Sequence, residues 1–237
     1  MNNLSVKRNE LKYLISNVEC HALASRLKHS MKIDSHSSPH SGYLIRSLYF
    51  DSYDDECLLD KQSGIISRKK YRLRIYDPDS EQVKFEIKHR NNQQVFKETA
   101  TITRKAAKEV IAGNYRGLLE YDNPVLNKIY STFVKKLYRP KVVVDYLRDA
   151  YIFDMYNVRV TLDKNLRSSN TNFNIFSKNL PTMPVIMENK QILEVKYDEC
   201  LPDQIRKMIQ VRSSERMAIS KYTLGRRFHK MHKWEDN

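Results

Sequence analysis

Glycine and proline are scarce in this chain, which has 5 glycines and 7 prolines among its 237 residues. Disordered and fibrous chains are rich in these residues, so the composition excludes both classes over most of the length. Hydrophobic residues make up 41% of the chain and aromatic residues 10%, with 15 tyrosines. This apolar content is sufficient for a packed core, and we expect a single domain over residues 1–237.

Cysteine is also rare, and long apolar runs are absent. Cys20, Cys57 and Cys200 are far apart and form no C-x-x-C pair, which argues against a disulfide framework and against a zinc site. We expect three buried thiols in a reducing cytoplasm. No run approaches about 18 apolar residues, and residues 1–12 lack the apolar segment of a signal peptide. The chain is therefore expected to be soluble and cytoplasmic.

Acidic residues are outnumbered by basic ones. The 42 lysines and arginines exceed the 28 aspartates and glutamates, which gives a net charge of +14 and a pI near 9.6. An anionic partner is expected, but net charge does not choose between nucleic acid, an anionic membrane and a small polyanion. A P-loop is excluded because the pattern G-x-x-x-x-G-K-[ST] does not occur. The positions of the charges must therefore decide.

Strands dominate the predicted secondary structure, and the long crossover helices of a doubly wound α/β protein are missing. Because only short amphipathic helices lie between the strands, the expected fold class is α+β, mainly antiparallel β. The eight strands are predicted at about 5–15, 42–51, 66–77, 82–90, 93–103, 139–154, 157–167 and 190–198. The expected helix caps or first residues are Asn17, Ser52, Thr103, Asn123, Leu201 and Ser220, the last of which opens a basic helix at about 221–233.

Charged residues alternate with apolar ones along most of these strands. Lys84, Glu86 and Lys88 share one strand face because side chains alternate between faces, and the residues between them are apolar. Arg148 adds a further cation from its own strand. The same alternation joins Glu10 with Lys12, Arg72 with Arg74, Arg159 with Asp163, and Glu194 with Lys196.

Two interpretations of this alternation remain open. A half-exposed sheet with a solvated polar face explains any single strand, and it is the commoner cause. A closed eight-stranded barrel explains why five strands share the pattern, because the charged faces would converge in its lumen while short helices cover its apolar outside. Such a lumen would have to hold anions, metal ions and water, since unpaired buried charge is costly.

Six short segments carry a family resemblance. They are residues 8–13 (RNELKY), 47–51 (SLYFD), 71–76 (YRLRIY), 85–88 (FEIK), 193–196 (LEVK) and 220–222 (SKY). In this order they resemble the VTC domain, the polyphosphate polymerase domain of the vacuolar transporter chaperone complex. That family belongs to the triphosphate tunnel metalloenzymes, or CYTH-like superfamily. The resemblance covers about residues 5–225 and implies a closed eight-stranded tunnel barrel with short helices packed on its outside.

The resemblance also implies roles for individual side chains. The residues expected to grip phosphate and act in catalysis are Lys12, Arg72, Arg74, Lys88, Arg148, Arg159, Ser220 and Lys221. A bound triphosphate is expected to contact Arg72, Arg74, Lys88, Lys196 and Lys221. Mn²⁺ or Mg²⁺ is expected at Glu194, with Glu10 and Glu86 as further acidic candidates. Hydrolases of the superfamily carry E-x-E-x-K in the first strand, whereas only Glu10 precedes Lys12 here, which disfavours a simple triphosphatase.

The function implied is that of a metal-dependent polyphosphate polymerase, which transfers the γ-phosphoryl group of ATP to a polyphosphate chain inside a basic tunnel. If water is the acceptor, the same residues make a hydrolase of triphosphates or polyphosphate. A third interpretation is a non-catalytic binder of polyanions or nucleic acid. Acids at Glu86, Asp163 and Glu194 would repel a nucleic-acid backbone, so no specific nucleic acid is expected. The family also allows for a membrane-protein partner at the inner face of the membrane.

Overall fold

The computed structural model describes residues 9–34, 42–92, 94–186, 189–210, 215–216 and 218–231. These residues also contain two short 3-10 helices, at Arg116–Tyr121 and Met155–Asn157. The strands are β1 (Asn9–Ser16), β2 (Lys32–Ile33), β3 (Tyr43–Asp51), β4 (Ser67–Ile75), β5 (Gln82–Asn91), β6 (Gln94–Thr103), β7 (Arg139–Phe153), β8 (Val158–Ser169), β9 (Met183–Pro184), β10 (Lys190–Tyr197) and β11 (Glu215–Arg216). The α-helices are α1 (Asn17–Ser30), α2 (Glu56–Gln62), α3 (Arg104–Ala112), α4 (Pro124–Lys135), α5 (Asp203–Met208) and α6 (Lys221–Met231).

The predicted fold class, mainly antiparallel β with several short helices, is confirmed. In the described ranges, eight strands have eight or more residues, and each corresponds to one predicted strand; β2, β9 and β11 have two residues each. The predicted start of β1 at about residue 5 lies outside the described residues. Helix α3 begins directly after Thr103, its predicted cap, and the Thr103 hydroxyl accepts a hydrogen bond from Ala106 N–H. Helix α4 begins at Pro124 as predicted, and Asn123 caps it.

The first two helix caps differ from the prediction. Ser16 rather than Asn17 caps α1, because the Ser16 hydroxyl accepts from Glu19 N–H while the Glu19 carboxylate accepts from Ser16 N–H. This is a capping box, which satisfies two helix-end donors at once. At α2 the N-cap position is Asp55 rather than the predicted Ser52, and the Asp55 side chain makes no capping hydrogen bond. The Ser52 hydroxyl nevertheless accepts from the first helical N–H, that of Glu56. The Asp51 carboxylate accepts from the next two, so the cap is shared between Ser52 and a strand residue.

One of the three expected buried thiols is not buried. Cys20 and Cys57 are buried free thiols, whereas Cys200 is exposed, next to the end of β10. No local sequence pattern indicates which of the three cysteines is exposed. Turning to membrane segments, none of the helices formed by the described residues combines the length and the hydrophobicity needed to cross a bilayer.

The chain divides into two compact units. The first unit comprises residues 1–44, 146–166 and 186–220, and the second unit comprises residues 45–145, 167–185 and 221–237. Strands β3, β7 and β8 each contribute residues to both units. The single domain over residues 1–237 that the sequence suggests stays a prediction.

In the first unit, antiparallel strands run in the order β11-β1-β10-β8. Helix α1 buries Leu23 and Leu27, and α5 buries Ile205, in one core with Val160 of β8 and Val195 of β10. Because residues alternate faces along a strand, the neighbours of Val160 and Val195 lie on the other side of the sheet. That side carries Lys12, Arg159, Asp163, Glu194 and Lys196.

In the second unit, β3-β4-β5-β6 form an antiparallel meander. Phe133 of α4 lies at the centre of its apolar face. The ring centroid of Phe133 is 5.2 Å from that of Phe50, 5.4 Å from Tyr71, 5.6 Å from Phe85 and 4.8 Å from Tyr138. Such aromatic packing fixes the positions of β3, β4 and β5 relative to one another. The charged residues between these aromatic positions lie on the opposite face.

The strand order is open within each unit. Among the described residues it ends at β11 in the first unit and at β6 in the second, so the hydrogen-bonded closure of the expected barrel is not formed there. Strand β11 pairs only two residues with β1, too few to template another strand. The outer strand β6 carries the charged residues Lys97 and Glu98, which is a common means of protecting a sheet edge.

Replacing Gly42 by alanine is expected to destabilise the protein strongly. Gly42 has φ of +70°, and a Cβ there would lie 2.5 Å from Asp149 Oδ1 and 2.6 Å from the Arg148 carbonyl oxygen. We expect Gly42→Ala to lower the free energy of unfolding by about 3 kcal/mol or more, measured by urea denaturation.

The matched control is Gly64→Ala. Gly64 has a similar φ of +73° but no atom within 4 Å of an added Cβ. Gly64→Ala should therefore lower the free energy of unfolding only by the cost of placing alanine in the left-handed backbone conformation, about 1–2 kcal/mol. Equal losses in the two variants would show that the close approach at Gly42 contributes nothing.

Candidate functional site

Cationic side chains form three cross-strand rows on the polar face of β4, β5 and β6. The first row pairs Lys70 with Lys88 and Lys88 with Lys97. The second row is Arg72, Glu86 and Thr99, and the third is Arg74, Lys84 and Thr101. We call the six cations in these rows the cation ladder: Lys70, Arg72, Arg74, Lys84, Lys88 and Lys97.

Glu86 is the one acid in these rows, and it is fully buried. Its carboxylate lies 2.6 Å from Arg72 Nε, 3.9 Å from Arg74 Nε and 2.8 Å from Lys97 Nζ. Burial alone would raise the pKa of Glu86, but the charges of Arg72, Arg74 and Lys97 outweigh it and lower the pKa from an ordinary 4.5 to about 2. Glu86 is therefore ionised at neutral pH and holds three members of the cation ladder in place.

Tyr49 of β3 extends the second row. Arg72 Nη1 donates a hydrogen bond to Tyr49 Oη over 3.1 Å, and the Tyr49 ring centroid lies 5.3 Å from that of Tyr222 in α6. Burial would raise the pKa of the Tyr49 hydroxyl, but the charges of Arg72, Arg74 and Lys221 lower it below its ordinary value. The structure thus brings Lys221, from the first turn of α6, into electrostatic range of the two arginines.

Two polar contacts anchor α6 within the second unit. The buried hydroxyl of Tyr222 donates a hydrogen bond to the Asp51 carboxylate, which also caps α2. Burial and the charge of Asp51 raise the pKa of Tyr222, so this hydroxyl stays protonated. Arg226 Nη2 lies 2.6 Å from Asp55 Oδ2. These contacts fix the end of the helix at which Lys221 lies.

In the first unit, two acids and two lysines form a square on β1 and β10, which we call the acid–lysine square. Lys12 pairs with Glu194 across the strands, and Glu10 pairs with Lys196. Lys196 Nζ lies 2.7 Å from Glu194 and 3.6 Å from Glu10. Lys12 Nζ lies 3.4 Å from Glu10 and 3.8 Å from Glu194, and it also donates to the carbonyl oxygen of Ile219. The charges of the square balance.

The other two predicted arginines of this unit are also paired with acids. Arg148 makes a bidentate contact with fully buried Asp163, at 2.6 Å and 2.7 Å. Burial would lower the pKa of Arg148, but Asp163 and other nearby groups raise it well above its ordinary value, so the charge is kept. Arg159 Nη2 lies 2.7 Å from Asp34 and 3.3 Å from the Tyr43 hydroxyl. These pairs orient both guanidinium groups.

The acid–lysine square fits a divalent cation better than Glu86 does. Mg²⁺ and Mn²⁺ are commonly held by one or two carboxylates, with phosphate oxygens and water completing the coordination, and Glu10 and Glu194 supply such a pair. Both oxygens of Glu86 are held by cations at 2.6 Å and 2.8 Å, whereas in the square one lysine–carboxylate distance is 2.7 Å and the other three are 3.4–3.8 Å. Within the part of the chain that the structure describes, no group of three or more His, Cys, Asp or Glu side chains could hold a metal by itself. A bound ion would therefore take further ligands from its substrate.

Each unit gathers part of the predicted site. Lys12, Glu10, Glu194, Lys196, Arg148 and Arg159 lie on the polar face of the first unit, and Ser220 precedes α6. Arg72, Arg74, Glu86, Lys88 and Lys221 lie in the second unit. Their roles in binding and catalysis stay predictions.

The sequence analysis placed Lys84 on this face without giving it a role in the site, and it missed three further residues, namely Lys70, Lys97 and Tyr49. Lys97 alternates with its neighbours on β6 as Lys88 does on β5, so the alternation could have indicated it. Tyr49 lies inside the segment 47–51 that carried the family resemblance, but its contact with α6 is not visible in the sequence. Lys70 and Lys84 share the strand faces of Arg72 and Glu86.

Comparisons with known proteins give a family and a fold. The VTC domain family model matches residues 7–230. A candidate adenylyl cyclase from Hippeastrum, described as having a dominant triphosphatase activity, matches with a TM-score of 0.57 and 15% identity over 92% of this chain and 95% of that chain. A candidate adenylate cyclase from Vibrio parahaemolyticus matches with a TM-score of 0.50 and 13% identity over 93% and 98%. At 15% and 13% identity, the similarity to these two structures shows a shared fold but not a shared activity. No curated protein matches the chain in sequence.

Lowering the pH should decrease the free energy of unfolding, because Glu86 becomes protonated and its ion pairs are lost. Because the pKa of Glu86 is lowered by folding, its ion pairs contribute stability above the ordinary pKa and lose it as the pH falls towards about 2. We expect the gap in unfolding free energy between the wild type and Glu86→Gln to shrink by about 2 kcal/mol between pH 6 and pH 3 in urea titrations.

Glu120→Gln is the control for the loss of one negative charge, because Glu120 is exposed. Its gap from the wild type should stay nearly constant over the same pH range. A gap for Glu86→Gln that does not change with pH would mean that folding leaves the pKa of Glu86 unaltered.

Proposed function

This chain belongs to the VTC domain family, and on that premise we propose that it is a metal-dependent polyphosphate polymerase. The proposed reaction transfers the γ-phosphoryl group of ATP to the end of a polyphosphate chain. The observation that supports it most directly is the cation ladder, in which six cations in three adjacent rows surround a single buried acid. Like charges directly opposite one another destabilise a sheet, so the arrangement favours a bound polyanion.

The extent of the cation ladder suits a chain of phosphates better than a single one. Successive rows are two residues apart along each strand, so the three rows span roughly 13 Å. A lone phosphate would contact one or two rows, whereas a triphosphate or polyphosphate has charge to place at all three. Arg72 and Arg74 offer planar donors for non-bridging oxygens, while Lys88 and Lys97 act as point charges.

Phosphoryl transfer asks mainly for alignment and for neutralisation of charge, which these side chains supply. Glu86 holds Arg72 in a fixed orientation, so little reorganisation is needed when phosphate charge develops. Lys221, anchored through Tyr222, would add a cation to the same face. In the first unit, Glu10 and Glu194 would hold Mn²⁺ or Mg²⁺, which when bound would neutralise phosphate oxygens. The membrane-protein partner that the family allows for remains a prediction.

A second candidate is hydrolysis of triphosphates by the same residues, with water as the acceptor. The Hippeastrum protein of similar fold is described as having a dominant triphosphatase activity, which favours this candidate. Nothing in the cation ladder selects the acceptor, because the ladder binds the phosphate groups that both reactions share. The two reactions therefore have to be distinguished by their products.

Removing cations of the proposed site should slow the reaction with ATP. The purified protein is incubated with ATP and Mn²⁺, and ADP release and polyphosphate on a gel are measured. Arg74→Ala and Lys221→Ala should each lower the rate about 100-fold, because each removes charge stabilisation from the transition state. Lys108→Ala, which removes an exposed cation of α3 that is not part of the proposed site, should retain the wild-type rate. Unaltered rates in the first two variants would remove those residues from the proposed site.

The products decide between the candidates. A polymerase releases ADP together with growing polyphosphate chains, whereas a hydrolase releases orthophosphate and forms no chains. We expect ADP and chains, with both lost in Glu194→Gln. Release of orthophosphate alone would establish the hydrolase. Binding of polyphosphate without any turnover of ATP would leave only the non-catalytic binder.

A further inference from the structure

A buried hydroxyl beside the acid–lysine square has no use within the protein itself. Thr161 of β8 is 3% exposed, and its Oγ1 has no hydrogen-bond partner among the residues that the structure describes. Buried hydroxyl groups in proteins nearly always have a partner, and an exception calls for an explanation such as a bound ion or water. Valine has nearly the same shape and would fill this position without an unpaired polar atom. The hydroxyl therefore points to a ligand that binds there.

The strand register places this hydroxyl next to Glu194. Thr161 lies directly opposite Glu194 on β10, and Glu194 lies directly opposite Lys12 on β1. Directly opposite residues project to the same face of a sheet with their Cβ atoms about 5 Å apart. The row Lys12, Glu194, Thr161 thus joins one carboxylate of the acid–lysine square to a neutral oxygen.

The charged neighbours of Thr161 are already paired, so the hydroxyl would serve a bound cation as a neutral ligand. Arg159 and Asp163, which flank Thr161 on the same strand face, are bonded to Asp34 and Arg148 respectively. The two acids of the square are already balanced by two lysines, so a further carboxylate would add unneeded negative charge. A hydroxyl oxygen can complete the coordination of a divalent cation without changing the net charge.

We propose that the Thr161 hydroxyl is an oxygen ligand, directly or through one water, of the divalent cation bound at Glu194 and Glu10. This inference rests on the proposed function only in that the same site is taken to bind the metal. The rival occupant is a phosphate oxygen, because Arg159 Nε on the same face is also buried without a hydrogen-bond partner among the described residues. The experiment separates the two.

The test measures Mn²⁺ binding to the purified full-length protein without ATP or phosphate, from the electron paramagnetic resonance signal of free Mn²⁺. Thr161→Val should bind Mn²⁺ about tenfold more weakly than the wild type, and Thr161→Ser should stay within about twofold of it. Thr101→Val, a loss of hydroxyl on β6 of the second unit, should leave Mn²⁺ affinity unchanged. Glu194→Gln should lose most of the binding.

Stability and anion binding complete the test. Metal-free Thr161→Val should unfold at the same temperature as the wild type or higher, because it loses only an unpaired hydroxyl. Equal Mn²⁺ affinities of Thr161→Val and the wild type would overturn the proposal. The proposal would also be overturned if Thr161→Val bound tripolyphosphate more weakly in EDTA while its Mn²⁺ affinity, measured separately, was unchanged. That result would assign the hydroxyl to a phosphate oxygen. If the wild type binds tripolyphosphate but no Mn²⁺, this inference fails while the proposed phosphate site stands.

Discussion

The repulsion among like charges on one sheet face is the constraint on which the second unit depends. Lys70, Lys88 and Lys97 face one another across three strands with no acid in their row. Such a face cannot hold the strands together, so their positions must be fixed from the other side. The rings around Phe133 supply that cohesion, since they tie β3, β4 and β5 to α4 on the apolar face. The hydrophobic core thus permits an electrostatic arrangement that would be unstable alone.

The two units treat charge differently, and the difference fits two kinds of ligand. In the second unit one carboxylate, Glu86, serves three cations, so the face keeps an excess of positive charge. In the first unit each cation of the site has an acid within reach, from the acid–lysine square to the pair of Arg148 and Asp163. A face with excess positive charge favours a polyanion, whereas a balanced set of acids and lysines can exchange its partners for a metal ion and phosphate together. Neither arrangement follows from net charge, so the total of +14 did not distinguish between the classes of anionic partner.

Local patterns predicted the strands, and the errors concern a choice between neighbouring caps and features that depend on distant segments. Alternation of charged and apolar residues is a property of each strand by itself, so eight strands and the faces of Arg72, Glu86 and Glu194 could be predicted. The cap of α1 was misplaced by one residue because Ser16 and Asn17 are both good caps, although Glu19 completes a capping box only with Ser16. The exposure of Cys200 depends on how the chain leaves β10, which no spacing reveals.

The site residues that were missed have the same origin. Lys97 belongs to the cation ladder only because the register of β5 and β6 places it opposite Lys88, and register is set by pairing rather than by either strand alone. Likewise Tyr49 contacts α6, which comes from the other end of the chain. Sequence patterns show which face a side chain occupies, but they do not show what lies across from it.

The last helix shows how the chain holds a cation where local physics disfavours it. A lysine in the first turn of a helix is repelled by the positive end of the helix dipole, so Lys221 is unfavourable by itself. Tyr222 and Arg226, one residue and five residues further on, tie the same helix to Asp51 and Asp55. Because Asp51 also caps α2, one buried carboxylate fixes two helices to the end of β3. An anion bound near Lys221 would reverse the unfavourable interaction with the dipole. Lys221 therefore destabilises the helix by itself, whereas a bound phosphate would make its position favourable. The contacts of Tyr222 and Arg226, which involve no ligand, offset the destabilisation.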